Sequence, residues 1–369
     1  MFNSIRNRLI FLLLLFTLIP FVVLRFIAYP KVQTDMMEVQ IRNLDGVGHK
    51  QAELVSNWVQ EKMKNVRVVS QNPLIVESAM SKMAVFPSIV NYLETVQREY
   101  GSKGISISDD AGMVKVATNS DELGSDISQM NYFRQAKGGK VFVSDIMPSE
   151  VPLINEFGEK EVGVPTMFVS APIKDNGGLI VGVVAMRMDV NVLNDLMLDL
   201  KLGQTGETYL VNKDGYMITE SRFSKHLKEM GLIKKRCALE LKMIDPETGE
   251  LTRGVQQCLA GNDGYDGKGY TDYTGITVLG VWRWLPDLGW GLVAEIDRNE
   301  GYGVAYNLHY IILSVLLVFV FPIVIAAYLV SRQISIPIEK LKEATEKMAS
   351  GDLSQRVEEK KKGMTKSGS

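Results

Sequence analysis

Two apolar runs without a charged residue stand near opposite ends of the chain, at Leu9–Leu24 and Tyr310–Val330. A charge-free stretch of about 20 residues is long enough to cross a bilayer as a helix. The sequence therefore predicts transmembrane helices over 9–29 and 306–330. The polar segment between them would lie on one side of the membrane, and both ends of the chain on the other.

The charges beside the runs predict the orientation. Arg6 and Arg8 precede the first run, and Arg332 and Lys340 follow the second. Because basic residues in short flanking segments stay in the cytoplasm, we expect both termini, including 1–8, to be cytoplasmic. The segment 31–305 would then face outward from the cell membrane as the middle of a multi-pass protein in contact with the lipid bilayer.

The first run leaves a second interpretation open, because it is short for a membrane span. Arg25 ends it, and an apolar run of that length also fits the core of a cleaved signal peptide. We favour an uncleaved anchor. Arg25 can extend to the outer interface, Tyr29 can lie there as an amphipathic ring, and no small-x-small cleavage pattern follows.

The composition excludes several classes of function. The formal net charge is -2, and no basic stripe exists outside the termini, which argues against nucleic-acid binding. The histidines (His49, His226 and His309) are scattered, and no metal spacing, phosphate loop or catalytic set can be recognised. We therefore expect no enzyme activity, metal or cofactor. The glycine- and aspartate-rich segment 261–267 lacks the closing glutamate of a calcium loop, which favours a plain surface loop.

The only two cysteines, Cys237 and Cys258, both lie in the outer segment. An oxidising compartment permits a disulfide between them, which would contribute about 3 kcal/mol in the chain-entropy model. The sequence analysis predicts this disulfide; two buried, unpaired thiols are the alternative.

The middle of the chain reads as a long helix followed by two similar modules. Helical spacing of apolar residues predicts a spine helix over 30–71. Strand, turn and strand patterns then occur twice, the second including a strand over 216–219, which predicts a membrane-distal module over 72–200 and a membrane-proximal module over 201–300. The predicted fold class is α+β: two tandem antiparallel-sheet modules on a long N-terminal helix, flanked by two transmembrane helices.

Four segments within 30–300 carry a family resemblance. They are NYFRQAKGGKVFVSDI at 131–146, LIVGVVAMRMDVNVLNDL at 179–196, TGETYLVNKDGYMITESRF at 205–223 and TDYTGITVLGVWRWLPDLGWGLVAEID at 271–297. In this order, between two apolar runs, they resemble the double Cache (dCache) sensor domain of bacterial receptors, whose modules are PAS-like. Such receptors are sensor histidine kinases or methyl-accepting chemotaxis proteins.

The segment 331–359 resembles the first helix and connector of a HAMP linker. Pro337 opens a helix, and Gly351-Asp352-Leu353 matches the start of the connector, followed by Val357 in its apolar place. The tail 360–369 lacks the pattern of a second HAMP helix, so we expect the HAMP unit to be incomplete. An a/d-like apolar stripe and the resemblance together imply a homodimer; the stripe consists of Ile338, Leu341, Thr345 and Met348.

The resemblance also implies a ligand site in the membrane-distal module. The matching residues are Tyr132, Phe133, Phe168, Ser170 and Arg187. Amino-acid-binding members carry an arginine where this chain has Met130 and an aspartate where it has Arg187. We therefore expect a carboxylate ligand rather than an α-amino acid, because a guanidinium binds planar anions. An arginine directed into solvent, or one held in a structural ion pair, are the alternatives for Arg187.

These observations predict a transmembrane receptor whose outer dCache domain binds a small molecule and signals through a HAMP linker. A membrane-tethered binding protein without signalling output, or a truncated sensor histidine kinase, are the alternatives. An enzyme on the outer face is poorly supported, because no residue set carries the chemistry.

Overall fold

A computed structural model of the protein describes residues 5–80, 87–200, 202–330, 333 and 336–350. The helices are α1 (Ile5–Val23), α2 (Tyr29–Ser70), α3 (Pro73–Met80), α4 (Pro87–Tyr100), α5 (Asn131–Lys137), α6 (Asn191–Leu198), α7 (Ser224–Glu229), α8 (Arg253–Leu259), α9 (Arg298–Gly301), α10 (Gly303–Val330) and α11 (Ile336–Ala349). The strands are β1 (Ser102–Asp109), β2 (Val114–Ala117), β3 (Phe142–Val143), β4 (Met147–Pro148), β5 (Leu153–Ile154), β6 (Lys160–Glu161), β7 (Pro165–Lys174), β8 (Ile180–Met188), β9 (Glu207–Val211), β10 (Gly264–Thr271), β11 (Thr277–Leu285) and β12 (Trp290–Asp297).

The long helix predicted after the first apolar run is α2. Its buried side chains recur at helical spacing, from Val55 and Val59 to Val66 and Val69. The chain turns at Asn72, whose Oδ1 accepts a hydrogen bond from the backbone N–H of Leu74 at 2.9 Å. Pro73 then begins α3, where its missing N–H costs no helical hydrogen bond.

The distal module is an antiparallel sheet in the order β2-β1-β8-β7-β3, with β4 also paired to β7. Side chains alternate between its faces. Met186 and Met188 lie on the face packed against α2, α3 and α4. Val183 and Ala185 lie on the other face, which α5 covers.

The proximal module is a second antiparallel sheet, in the order β10-β11-β12-β9. Leu210 and Leu292 on one face belong to the same buried cluster as Val55 of α2. Tyr209 and Val293 on the other face pack in a separate cluster with Val255 of α8. The helix α2 therefore lines one face of each sheet, and the two modules form one compact unit over Met37–Gly301. The predictions of a long helix and two antiparallel sheet modules are confirmed.

The same turn chemistry closes five hairpin connections. In each, the Oδ1 of an aspartate or asparagine accepts backbone hydrogen bonds from the residues two and four positions later. These acceptors are Asp109, Asn155, Asp175, Asn212 and Asp272. The recurrence of one local turn type accounts for the repeated strand, turn and strand pattern of the sequence.

One strand expected from the sequence is not a regular ladder. Residues 216–219 follow the Asn212 turn, but the backbone N–H of Met217 donates to Leu241 O, whereas that of Ile218 donates to Leu210 O. Because successive hydrogen bonds go to different segments, this stretch forms isolated bridges only.

The predicted disulfide is wrong in this structure. Cys237 and Cys258 are both free and buried. The backbone N–H of Cys237 donates to Glu220, and the thiol of Cys258 donates to the carbonyl oxygen of Arg283 at 2.9 Å. The two cysteines therefore have different hydrogen-bond partners, and each behaves as a small apolar side chain in the buried cluster of the proximal module.

The second compact unit comprises Met1–Met36 and Tyr302–Ser369. The two apolar runs are helical here, as α1 with a π-helical continuation and as α10, and these helices pack against each other. In the described part of the chain, no helix combines the length and the apolarity needed to cross a membrane. The predicted HAMP connector and the tail lie outside the described residues, whereas α11 carries the first HAMP helix.

Candidate functional site

The five residues predicted to bind a ligand lie together on one face of the distal sheet. Phe168 and Ser170 are on β7, Arg187 is on β8 directly opposite Phe168, and Tyr132 and Phe133 are on α5. All five side chains are buried. The alternative of an Arg187 directed into solvent is therefore wrong in this structure, where Arg187 is only 5% exposed.

Aromatic stacking organises the site. The rings of Tyr132 and Phe168 stack with centroids 4.4 Å apart and an interplanar angle of 20°. The guanidinium carbon of Arg187 lies 4.3 Å from the centroid of Phe168, within cation–π range. Ser170 Oγ donates to the carbonyl oxygen of Tyr132 at 2.8 Å, which fixes α5 against β7. Phe133 packs in the same buried cluster.

Arg187 is held by a carboxylate that the sequence analysis missed. Its Nε and Nη2 lie 3.0 and 2.9 Å from the same oxygen, Oε1 of Glu122. The structural ion pair considered as an alternative is thus present. The hydrogen-bond donors of the guanidinium are only partly satisfied, however, because Nη1 is buried and has no hydrogen-bond partner among the described residues.

A short 3₁₀ turn, Ser120–Glu122, delivers Glu122 to the site. Asn119 Oδ1 accepts a hydrogen bond from the N–H of Asp121 at 3.1 Å and begins the turn. Gly104 on β1 lies beside the pair, and a Cβ there would make an ordinary contact, 3.6 Å from Glu122 Oε1. No sequence signal marked Glu122, which is one acidic residue within a polar loop.

The surroundings of the predicted site residues are apolar apart from the ion pair between Arg187 and Glu122. Burial raises the pKa of Tyr132, while the charge of Arg187 opposes this shift and that of Glu122 adds to it. The Tyr132 hydroxyl therefore stays protonated at physiological pH. The aromatic rings and the incompletely bonded guanidinium have the chemistry to recognise a planar, oxygen-rich group, although none of the three described cavities is lined by these five side chains.

The side chains here do not make a metal site. Among the described residues, no group of three or more His, Cys, Asp or Glu side chains has an arrangement that could hold a metal ion. Recognition at this site would rest on stacking, hydrogen bonds and charge.

Two family models match the chain. A Cache domain model of the dCache_1 type matches residues 33–304, and a HAMP domain model matches residues 329–363. The Cache match includes both sheets and all five predicted site residues. No curated protein sequence matches the chain.

Solved sensor domains share the fold. The ligand-binding domain of the Campylobacter jejuni chemoreceptor Tlp3 in complex with 4-methylisoleucine has a TM-score of 0.52 at 12% identity, and the match covers 74% of this chain and 96% of that one. Another structure of the Tlp3 sensory domain gives 0.51 at 12% identity, covering 73% and 98%.

With both sheets inside the matched region and the fold shared with solved sensor domains, this chain belongs to the Cache domain family and carries a dCache sensor domain followed by a HAMP domain.

Proposed function

We propose that the protein is a transmembrane receptor whose distal module binds a small organic carboxylate. The observation that carries the proposal is the buried guanidinium of Arg187, stacked on Phe168, with Nη1 lacking a partner. A buried donor without a partner costs about 1–3 kcal/mol. A ligand carboxylate that accepts from Nη1 would recover this energy, and the rings of Tyr132 and Phe168 would cover its apolar part. No bond-making role is assigned to any residue.

Glu122 favours a second candidate, an amino-acid ligand. In such a complex Arg187 would hold the carboxylate of the ligand and Glu122 its ammonium group, with the ion pair opening to admit both. The Tlp3 domain that shares the fold was crystallised with 4-methylisoleucine. For a simple carboxylate, in contrast, Glu122 competes for Arg187, because two anions share one guanidinium.

The variant Glu122→Gln separates the two candidates. We would titrate the full chain with acetate, propionate, pyruvate, lactate and phenylacetate, with their primary amides as neutral counterparts, and with the standard amino acids. A carboxylate ligand should bind Glu122→Gln more tightly, and an amino acid more weakly. Glu94→Gln, an exposed carboxylate on α4, is the matched control.

The role of Arg187 is tested together with Glu122, because removing Arg187 by itself would leave the Glu122 carboxylate buried without a partner. The double variant Arg187→Gln, Glu122→Gln removes both charges and keeps side chains of similar size. Binding of every carboxylate and amino acid should be lost in this variant. Unchanged affinity would overturn the proposed site.

We further propose that α10 and α11 carry the signal to the cytoplasm. The membrane part of this proposal rests on the apolar runs of the sequence. Ile338, Leu341 and Met348 on α11 are 42–56% exposed, as expected for a seam that a second copy covers. Ligand must favour one of two states of this dimer for a signal to pass.

Topology and pairing can be tested with single cysteines in a Cys237→Ser, Cys258→Ser background. Glu247→Cys in the proximal module should react with a membrane-impermeant maleimide on intact cells, whereas Glu346→Cys on α11 should react only after lysis. Leu341→Cys should form an interchain disulfide on oxidation. Labelling of Glu346→Cys on intact cells, or a monomeric Leu341→Cys, would contradict the respective part of the proposal.

A further inference from the structure

The proximal module contains an acidic cavity of about 240 Å³ that the distal ligand site does not explain. Its floor is buried and includes Glu207, Glu295 and Tyr273, and its mouth includes the exposed side chains of Met230 and Ile276. At about 30 Å³ for each water of liquid volume, the space equals roughly eight waters. It is therefore large enough for a small organic molecule.

Two carboxylates stand opposite each other on its floor. Glu207 on β9 pairs in register with Glu295 on β12. Opposite residues in an antiparallel pair have Cβ atoms about 4.5–5.5 Å apart, and like charges at such positions are destabilising. Glu207 and Glu295 are 7% and 3% exposed. Two buried acids in this position are a cost to the fold unless a proton or a cation neutralises them.

No basic side chain in the described part of the chain neutralises them. The ion pairs found among the described residues do not include Glu207, Glu295 or Asp297, which also lines the cavity. Arg222 lies near Glu207, but its guanidinium donates to the carbonyl oxygens of Gly203 and Gly206.

Hydroxyl groups hold the two carboxylates in place without neutralising them. Glu207 accepts hydrogen bonds from Ser221 Oγ and Tyr273 Oη, and Glu295 accepts one from Tyr270 Oη at 2.6 Å. Gly280 allows the last contact, because a Cβ there would lie 2.2 Å from Tyr270 Oη. The fourth acid, Asp272, is occupied by the turn that it closes.

The buried hydroxyl of Tyr209 lies near Glu295 but makes no hydrogen bond of normal geometry to any described residue. Tyr209 lies two residues after Glu207 on β9, so both side chains project from the same side of the sheet. Its ring packs edge-on against the cavity-lining Tyr273, with centroids 6.2 Å apart. Tyr209 does not itself line the cavity, but its hydroxyl adds a polar group with incomplete hydrogen bonding beside the two acids.

We infer that this cavity binds an organic ammonium ion, with the ammonium group at Glu207 and Glu295 and the apolar part against the outer wall. That wall consists of Phe223, Leu227, Met230, Ile276 and Val278. The lining also includes the aromatic side chains of Phe223 and Tyr273, a residue type that attracts cations. Burial raises the pKa of Glu207 to about 6 and that of Glu295 to about 8, and a bound cation would lower both toward the ordinary range.

A metal ion fits the cavity less well than an organic cation. The described carboxylates do not form a group of three or more with the geometry of a metal site. The wall is mainly apolar, and an apolar wall binds carbon atoms rather than hydrated metal. The inferred ligand thus differs in charge and in location from the carboxylate proposed for the distal module, and the inference does not depend on that proposal.

The test is a calorimetric titration of the full 369-residue chain in lipid nanodiscs, with empty nanodiscs as the blank. The probes are phenethylammonium, neutral 2-phenylethanol and anionic phenylacetate. Phenethylammonium should bind with a Kd below about 1 mM. Glu295→Gln should weaken it by about 30-fold or more, as expected when one partner of a buried charge pair is removed. Glu247→Gln, an exposed acid of the same module, should leave the affinity unchanged.

A second variant leaves the buried cluster intact. Ile276→Lys places a positive charge at the mouth and should weaken phenethylammonium binding, whereas Thr277→Lys, the next residue and also exposed, is its matched control. Equal affinity for 2-phenylethanol and phenethylammonium would overturn the inference. So would unchanged affinity in both Glu295→Gln and Ile276→Lys. The double variant Arg187→Gln, Glu122→Gln should still bind phenethylammonium, which keeps this result separate from the distal site.

Discussion

The two modules share an antiparallel sheet on the same spine helix, yet they place charge differently on the face that points away from that helix. The distal module pairs Arg187 with Glu122 inside an aromatic cluster. The proximal module sets Glu207 opposite Glu295 without a described basic partner. A buried ion pair becomes costly when one partner is removed, whereas two like charges opposite each other already oppose the fold. The proximal face is therefore the one that a ligand or a proton would stabilise most.

The largest expected effect is the loss of Arg187. Arg187→Ala leaves Glu122 buried without a partner and should destabilise the protein by about 3–5 kcal/mol. Glu295→Gln should be neutral or stabilising at pH 7, because it removes an acid that has no cation beside it. Chemical denaturation of the full chain, followed by circular dichroism, measures both. Similar losses in the two variants would break the comparison between the modules.

The next effect is a pH dependence from the proximal acids. In the unfolded chain Glu207 and Glu295 ionise near the ordinary glutamate pKa of 4.5, whereas in the fold burial raises their pKa values to about 6 and about 8. The folded state therefore binds more protons than the unfolded state across this range, so the free energy of unfolding falls as pH rises. We expect a decrease of about 3–5 kcal/mol between pH 5 and pH 8.

Glu295→Gln should flatten that pH dependence, and the double variant Arg187→Gln, Glu122→Gln should retain it. The raised pKa of the cavity-lining Asp272 and Asp297 has the same sign and would remain in both. Denaturation midpoints at half-unit pH intervals give the slopes. A stability that rises from pH 5 to pH 8, or an equal slope in Glu295→Gln, would contradict the role assigned to the proximal acids.

Substituting one glycine in each module by alanine compares how tightly the residues around the two sites are packed. Gly280→Ala places a Cβ 2.2 Å from Tyr270 Oη and should displace this hydroxyl from Glu295, at a cost of about 1–3 kcal/mol. Gly104→Ala, beside the distal ion pair, meets only ordinary contacts, the nearest at 3.6 Å, and should change stability by less than about 1 kcal/mol. The reverse order of the two effects would show that the distal site is the more tightly packed.

The smallest effect concerns the thiols of the proximal core. Burial raises the pKa of both Cys237 and Cys258 to about 12, so thiolate is scarce in the folded protein. Iodoacetamide at pH 8 should label neither residue in the native chain and both after denaturation, as read by mass spectrometry. A mass two hydrogens lower, with no labelling after denaturation without reductant, would instead establish the disulfide.

The sequence predicted most of the fold because its signals were local. Aspartate and asparagine turns, alternating strands and the apolar stripe of α2 each depend on neighbouring residues, and each was found. The prediction of a regular strand at 216–219 was wrong. The backbone hydrogen bonds of this stretch go to Leu210 and Leu241, and no local sequence pattern indicates these partners. The prediction of the disulfide was wrong for the same reason, because the pairing of two cysteines depends on where two distant segments of the chain lie.

The residues of the candidate sites also differ in whether a local sequence pattern indicates them. The aromatic residues and Arg187 could be located by resemblance, but Glu122 lies in a loop and its contact with Arg187 spans 65 positions. The proximal acids could have been found, since alternation places Glu207 with Tyr209 and Glu295 with Val293 on an otherwise apolar face. A charged residue at a strand position that faces the core is unusual, and it is therefore an informative feature of any sequence.

The measurement that tests the central claim most directly is a crossed titration. Phenethylammonium and the tightest-binding distal carboxylate or amino acid are each titrated into Glu295→Gln and into the double variant Arg187→Gln, Glu122→Gln. Each variant should lose one ligand and keep the other: the first should lose phenethylammonium, the second the distal ligand. If one variant abolishes both, or if neither affects binding, the two modules do not hold separate sites of opposite charge.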